Sequence, residues 1–147
     1  MKNRGKSQME PKYKRVVLKI SGEALAGSKG FGLDEDTIES IANDVKKIHD
    51  QGVQIAVVVG GGNFWRGRTS KSMDRATADY MGMLATVINA LCAQDFLLRE
   101  GVRAEVFTAQ EMNRFARLYT AAAASECLKA GGIALLAGGS GKPFFTT

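Results

Sequence analysis

The segment VQIAVVVGGG, residues 53–62, constrains the fold of this chain more than any other stretch. Apolar side chains occupy both odd and even positions of 53–59, which is typical of a strand buried on both faces inside a parallel sheet. Three glycines end this strand, and Arg66 and Arg68 follow within six residues of the last one. The segment therefore predicts an internal parallel strand whose end combines accessible backbone with fixed positive charge.

Strands and helices alternate along the rest of the chain. Apolar and β-branched runs predict further strands at 15–20, 102–108 and 133–137, and helical spacing predicts helices at 34–51, 74–99 and 109–130. This alternation predicts an α/β fold in which helices cover both faces of a mainly parallel sheet, a three-layer α/β/α domain. The long helix is expected to bury an apolar stripe formed by Met81, Leu84, Ile88, Leu91, Cys92 and Phe96. The last strand is expected to leave an unpaired sheet edge.

Three of the loops that follow these strands are rich in glycine. They are SGEALAGSKGFG after the first strand, GGGNFWRGR after the second and GGSGKPFFTT after the fourth. The carboxyl ends of parallel strands share one edge of the sheet, and ligands bind there. Glycine allows backbone N–H groups to approach an anion, and the Arg66 guanidinium offers a donor fork that suits phosphate. One such cluster is as readily a plain turn, but three on one edge predict a site for more than one phosphate.

Lys19 is the only charged residue in VVLKIS, one step from the end of the first strand. If its ammonium group is buried, it needs an anion, which favours a phosphate clamp with Ser21 and Gly22. In the alternative reading, the strand lies at a sheet edge and Lys19 extends to water. Phosphoryl transfer depends on positioning and on cations, with no strong base required. Lys19 and Arg66 are therefore the candidate catalytic residues.

Two familiar nucleotide motifs are not met. GGSGKPFF resembles a P-loop, but that motif needs glycine at position 136, which is Leu136, and Ser or Thr at position 143, which is Pro143. The glycines at 60–62 do not fit the GxGxxG pattern of a dinucleotide site either. Nucleotide phosphates would have to be held in another way.

The net charge of +5 lies entirely in the first 15 residues, which contain six basic residues and one acidic residue. We interpret residues 1–13 as a flexible basic tail and 14–147 as one domain. A neutral domain gives little support to nucleic-acid binding. Cys92 and Cys127 lack the spacing of a zinc site, and no apolar run is expected to reach the roughly 20 residues of a membrane span. A cytoplasmic protein without a metal site, nucleic-acid partner or membrane partner is expected.

Four segments together resemble a known family. YKRVVLKISGEAL, GGGNFWRG, DYMGMLATVINAL and SGKPFFTT, in this order and spacing, are similar to the motifs of bacterial uridylate (UMP) kinases, which have the amino-acid kinase fold. The resemblance implies transfer of the γ-phosphoryl group of ATP to UMP, giving UDP for pyrimidine nucleotide synthesis, with Mg²⁺ carried by ATP. It also implies a homohexamer regulated by GTP and UTP. Residues 14–147 would then be the N-terminal, UMP-binding part of such a domain.

The resemblance also implies roles for individual residues. The ATP phosphates would be bound by Lys19, Ser21, Gly22, Gly62 and Arg66, with Arg66 reaching the phosphates of both nucleotides. UMP would be bound by Gly61, Asp79, Ser140, Gly141, Lys142, Pro143, Phe144, Phe145, Thr146 and Thr147. The segment linked to activation by GTP would be Gly27, Ser28, Lys29, Gly30, Phe31 and Gly32.

Two departures from the family pattern bear on function. Ser140, Gly141 and Lys142 stand where the family usually has Thr-Gly-Asn. Family members also continue past this loop into a part that carries most adenine contacts and an aspartate that assists transfer, so the 147-residue chain is expected to have little or no kinase activity alone. The alternatives are another enzyme of this fold that phosphorylates a carboxylate or carbamate, and a nucleotide-binding regulator that does not catalyse.

Overall fold

A five-stranded parallel sheet organises residues 10–66 and 71–145, which this computed structural model describes. The strands are β1 (Arg15–Ile20), β2 (Gln54–Val59), β3 (Ala104–Thr108), β4 (Arg117–Leu118) and β5 (Ile133–Ala137). Their spatial order is β1, β2, β5, β3, β4, and each neighbouring pair is parallel. The predicted parallel sheet is therefore confirmed. The predicted tail lies mostly outside the described residues and stays a prediction.

Each helix begins at a side chain that accepts a hydrogen bond from the backbone N–H three residues later. The helices are α1 (Gly22–Ala26), α2 (Glu35–His49), α3 (Arg75–Arg99) and α4 (Ala121–Lys129), and their respective caps are Ser21, Asp34, Asp74 and Thr120. Short polar side chains at this position satisfy N–H groups that have no partner within the helix. These capping residues therefore mark where the four helices begin.

Helices cover both faces of the sheet. On one face, α2 and α3 pack on the strands through Ile38, Ala42, Val45, Val87, Ala90, Leu97, Ile55, Val57, Ile133 and Leu135. On the other face, α4 packs through Ala123, Ala124, Cys127, Leu128, Ala56, Phe107 and Ala134. The predicted three-layer α/β/α arrangement is confirmed.

The last strand does not form an edge, contrary to expectation. β5 lies between β2 and β3, and the two edges are β1 and β4. β5 and β2 are buried along most of their length, whereas burial alternates along β1 and leaves Val17 69% exposed. Strands that are apolar on both faces occupy the interior, and a strand with one polar face can lie at an edge.

The helix expected at 109–130 covers only its second half. Residues 109–116 form a loop, β4 pairs with the end of β3, and α4 starts after Thr120. Tyr119 donates its backbone N–H to the carbonyl of Thr108, which closes this loop. The alanine-rich run alone forms the helix, because the Thr120 cap sets its start.

The buried side of α3 matches the expected stripe only in part. Phe96 is buried and Leu91 and Cys92 pack against the core, but Leu84 and Ile88 are 50% and 49% exposed. The inner side combines small and polar residues with larger apolar ones: Ala78, Ala85, Thr86, Asn89 and Ala90 are buried together with Met83, Val87, Phe96 and Leu97. Small side chains such as Ala85 let the axis of α3 approach the loop after β2, so this side of the helix faces the loop.

By length and composition alone, α3 is apolar enough to cross a membrane, contrary to the expectation that no segment reaches that length. Its inner side packs on the sheet through Val87, Ala90 and Leu97. The core helix of a globular domain can have the same length and composition. The packing observed for α3 is that of such a core helix.

Candidate functional site

The glycine loops after β1 and β2 touch each other. The N–H of Gly60 donates to the carbonyl of Ile20 at 2.8 Å, which joins the ends of the two strands. A Cβ atom placed on Gly22 would lie 2.6 Å from the nitrogen of Gly62 and would also overlap the Asn63 side chain. Glycine is required at position 22 because the two backbones leave no room for a side chain.

The loops after β2 and β5 both reach the inner side of α3. A Cβ atom on Gly61 would lie 2.8 Å from the carbonyl oxygen of Gly82 and 3.0 Å from the nitrogen of Thr86. The buried Thr86 hydroxyl accepts from the N–H of Gly138 at 2.7 Å. The three glycine-rich segments thus converge around the first half of α3, as their predicted place at one sheet edge requires.

Two buried asparagines hold this convergence together. Asn63 and Asn89 pair through their amides at 2.7 and 3.0 Å, and Asn89 also donates to the carbonyl of Gly60 at 2.6 Å. The Asn63 side chain donates to the carbonyl of Gly32 at 2.8 Å, while the Gly32 N–H donates to the Asn63 carbonyl. Buried amides require such partners. This network therefore fixes the loop after β2 to α3 and to the loop after β1.

Arg66 forms an ion pair with Glu23 of α1. Both side chains are about half exposed. Glu23 also lies close to Gly62, where a Cβ atom would be 2.6 Å from the carboxylate oxygen Oε1. A phosphate bound by Arg66 would have to share or replace the Glu23 carboxylate. Arg68 lies outside the described residues.

Lys19 is exposed, so the premise that its ammonium group is buried does not hold, and its expected role at the ATP phosphates stays a prediction. The alternative reading matches the structure, because β1 is an edge strand. Lys19 and Ser21 line an open depression of about 530 Å³ between β1 and α2. The Ser21 hydroxyl accepts from the N–H of Ala24 at 3.2 Å as the cap of α1. Lys19 therefore lies near the glycine loops, but on the exposed edge strand β1. Arg66 instead reaches Glu23 of α1.

Asp79 joins the first turns of α3 to the loop after β5. One of its oxygens, Oδ2, accepts from the N–H of Phe144 at 2.7 Å, and the Nε of Arg75 lies 3.0 and 3.1 Å from its two oxygens. The Phe144 N–H, together with the Arg75 guanidinium, holds the pKa of Asp79 below its usual range. The structure thus brings together Asp79 and the 140–145 segment, which were both expected at the UMP site.

Two further hydrogen bonds hold the rest of the loop after β5. The Lys142 N–H donates to the Ser140 hydroxyl at 3.3 Å, and the Gln110 side chain donates to the carbonyl of Gly141 at 3.0 Å. Lys142 is exposed and Pro143 is partly buried, whereas the rings of Phe144 and Phe145 are exposed. Thr146 and Thr147 lie outside the described residues, so their expected role stays a prediction.

The segment expected to respond to GTP adjoins the loop after β2. Gly27–Lys29 forms a 3₁₀ turn, which includes Ser28 and ends at Gly30 in the left-handed conformation. The Phe31 ring meets the Phe64 ring edge to face at 5.8 Å, and Gly32 is bound to Asn63 as described above. A ligand that moved this segment would act directly on the loop after β2.

A larger groove lies away from this convergence. It is an open groove of about 710 Å³ at the β4 edge, lined by Glu105, Arg114 and Arg117. A smaller cavity of about 370 Å³ lies between α3 and the ends of β3 and β5, where Tyr80, Thr108, Gln110 and Gly138 line it. We place the candidate site at the convergence of the glycine loops, because that is where the buried polar network and the tight backbone contacts occur.

Comparison with known proteins identifies the family. The model for the amino acid kinase family matches residues 14–144. The chain belongs to the amino acid kinase family. Among solved structures, this family member is similar to UMP kinase from Bacillus anthracis, with a TM-score of 0.86 and 37% identity over 91% of this chain and 56% of that chain. It is also similar to UMP kinase from Ureaplasma parvum, with a TM-score of 0.85 and 32% identity over 91% of this chain and 60% of that chain.

This family member therefore spans less than two thirds of the length of these two kinases. Sequence reasoning missed several residues of its site: Glu23, Asn63, Arg75, Thr86, Asn89 and Gln110. Asn89 gave a usable signal, since an amide within the apolar part of a helix needs a buried partner. Glu23 and Gln110 gave none, because their partners lie far away in the sequence.

The lowered pKa of Asp79 predicts how the stability of this family member depends on pH. A carboxyl group with a depressed pKa in the folded state stabilises the fold above its ordinary pKa of 3.8 and loses this contribution as the pH falls through the lowered value. We expect Asp79→Asn to be less stable than the unaltered chain at neutral pH and to lose less stability on acidification. Urea unfolding at a series of pH values tests this, and parallel pH profiles for the two proteins would contradict it.

Proposed function

We propose that this chain forms the UMP-binding side of a uridylate kinase, which transfers the γ-phosphoryl group of ATP to UMP and releases UDP and ADP. The observation that carries the proposal is the convergence of three glycine-rich loops, including the 138–145 loop, on α3 beside Asp79. The similarity to two UMP kinases supports the choice of UMP as acceptor.

In the proposed reaction, an oxygen of the UMP phosphate attacks the γ-phosphorus, and the bond from that phosphorus to the β–γ bridging oxygen breaks. Lys19 and Arg66 would stabilise the charge on the moving phosphoryl group. Gly22 and Gly62 would bring backbone N–H groups to the ATP phosphates beside Ser21. Arg66 would exchange its Glu23 partner for phosphate oxygens.

On the acceptor side, Asp79 would accept hydrogen bonds from the ribose hydroxyls, and Gly61 would approach the UMP phosphate. The loop with Ser140, Gly141, Lys142, Pro143, Phe144 and Phe145 would enclose the base. Lys142 replaces the asparagine usual in the family, so its ammonium group would offer donors only. A base that presents a hydrogen-bond acceptor atom to Lys142 would then be preferred.

Mg²⁺ is proposed to enter with ATP. Among residues 10–66 and 71–145, no group of three or more His, Cys, Asp or Glu side chains gathers into a possible metal site. Phosphate oxygens are common ligands of Mg²⁺ in such enzymes. Bound Mg²⁺ would neutralise charge on the phosphates, and the chain would supply Lys19 and Arg66 around them.

Homo-oligomerisation, up to the hexamer implied by the resemblance, is proposed for the same protein in the cytoplasm. Tyr80, Leu84 and Ile88 form an apolar strip on the outer side of α3, and each is between 42% and 50% exposed. Apolar surface of this kind is typical of contacts between subunits. GTP and UTP are proposed as effectors, with GTP acting through Gly27–Gly32 and its Asn63 contact.

Calorimetric titration of UMP into the chain tests the proposed substrate. We expect heat on UMP addition and none with aspartate, glutamate or carbamoyl phosphate. Binding of a carboxylate or carbamate ligand without UMP binding would favour the other amino-acid kinase reactions. Failure of the complete enzyme to form UDP from UMP and ATP, despite UMP binding, would favour a non-catalytic regulator.

A further inference from the structure

Arg75 occupies an unfavourable position for a cation. It is the first residue of α3, directly after the Asp74 cap. The amino end of a helix carries partial positive charge, so an arginine there is opposed by the helix dipole. The side chain is also half exposed, so it does not fill the core. Its contacts must provide the reason for its placement.

Those contacts both lead to the loop after β5. The Nε of Arg75 lies 3.0 Å from Oδ1 and 3.1 Å from Oδ2 of Asp79, whose side chain is only 13% exposed. The guanidinium also lies over the Phe144 ring, 5.9 Å from its centroid. Asp79 in turn accepts from the Phe144 N–H. Arg75, Asp79 and Phe144 thus form a closed triangle of contacts.

The backbone of Phe144 has an unusual conformation at the point where these contacts meet the loop. Phe144 has φ 68°, and it is the one non-glycine residue with positive φ among those described. An aromatic side chain rarely adopts this conformation, which persists only where surrounding contacts impose it. The Asp79 carboxylate and the Arg75 guanidinium both contact this residue.

We propose that Arg75 is a positioning residue of the acceptor site, which fixes Asp79 and Phe144 in the arrangement that receives a nucleoside monophosphate. Arg75 acts through these two residues. The inference rests on the proposed function, in which Asp79 and the 140–145 segment bind UMP. It adds that the affinity for UMP depends on a side chain outside the four segments that resemble the family.

The test compares two arginines on the same helix. Arg99 forms an ion pair with Asp95 four residues earlier and lies 4.9 Å over the ring of Phe96, at the other end of α3. Arg75→Met should weaken UMP binding about tenfold, as expected for the loss of one hydrogen bond to a charged group. Arg99→Met should leave it unchanged, and Arg75→Lys should recover part of the loss by restoring the charge.

Two readouts separate positioning from general stability. UMP affinity is measured by calorimetry and by fluorescence of Trp65, the only tryptophan, whose Nε1 donates to the carbonyl of Ala78 beside Asp79. Amide hydrogen exchange at Phe144 is measured without ligand and should be faster in Arg75→Met alone. On acidification, the UMP affinity of Arg75→Met should begin to fall at a higher pH than that of the unaltered chain, because Asp79 has lost its neighbouring cation.

The outcomes distinguish this inference from the proposed function. Unchanged UMP affinity and unchanged Phe144 exchange in Arg75→Met, with UMP bound normally by the unaltered chain, would overturn the positioning role alone. Equal losses in Arg75→Met and Arg99→Met would overturn it as well. Absence of UMP binding by the unaltered chain would overturn the proposed function and the acceptor-site role of Arg75 together.

Discussion

Replacement of Gly22 by alanine is expected to destabilise the protein by about 1–3 kcal/mol, the usual cost of overpacking a filled site. The new Cβ would lie 2.6 Å from the nitrogen of Gly62 and 2.9 Å from that of Asn63. These are backbone atoms that cannot rotate away, so the loops after β1 and β2 must separate. Nucleotide affinity should fall with stability, because Gly61 and Gly62 move with the loop.

Urea unfolding and UMP calorimetry measure the two effects of Gly22→Ala. Gly82→Ala is the matched control, since a Cβ atom there meets nothing closer than 3.9 Å, the distance to Cδ1 of Trp65. Within a helix, alanine is favoured over glycine by about 1 kcal/mol, so this variant should be at least as stable as the unaltered chain. Equal stability and UMP affinity of the two variants would show that the loops do not need their close contact.

Replacement of Asn89 by alanine is expected to cost about 3 kcal/mol of stability, because it leaves buried polar groups without partners. Asn89 supplies both an acceptor and a donor to the Asn63 amide and a donor to the carbonyl of Gly60. Asn63 and Asn89 are both almost completely buried, so water cannot replace these bonds without a local opening. The loop after β2 should also lose its fixed position beside α3.

The midpoint of urea unfolding and the hydrogen exchange of the Gly60–Asn63 amides measure the effect of Asn89→Ala. The exposed Asn113 serves as the control, and Asn113→Ala should change neither quantity. If Asn89→Ala were as stable as Asn113→Ala, the paired amides would not be what holds the loop.

The fold was largely predictable because its main signals are local. Strands that are apolar on both faces, such as β2 and β5, can lie only inside a sheet with covered faces, and capping residues mark the helix starts. The orientation of α3 was only partly predictable, because Leu84 and Ile88 lie outward, whereas the small residue Ala85 lies against the loop after β2. Hydrophobic periodicity predicts an apolar stripe on a helix, but it does not predict how closely the backbone of α3 must approach the loop after β2.

The candidate site was predictable in its backbone and not in its side-chain pairs. Glycine clusters after parallel strands indicated where the loops meet, since that follows from topology alone. The environment of Lys19 depended on strand order, which placed β1 at the edge. The pairs Arg66 with Glu23 and Asn63 with Asn89 join residues that are 43 and 26 positions apart, and no local pattern links them.

Two-dimensional NMR of the ¹⁵N-labelled chain during a UMP titration tests the central claim most directly. If the glycine loops around α3 form an acceptor-nucleotide site, the amide signals of Gly61, Asp79, Gly141 and Phe144 should shift together and saturate with one dissociation constant. Shifts confined to the groove beside Arg114 and Arg117, or no shifts with UMP, would contradict the account.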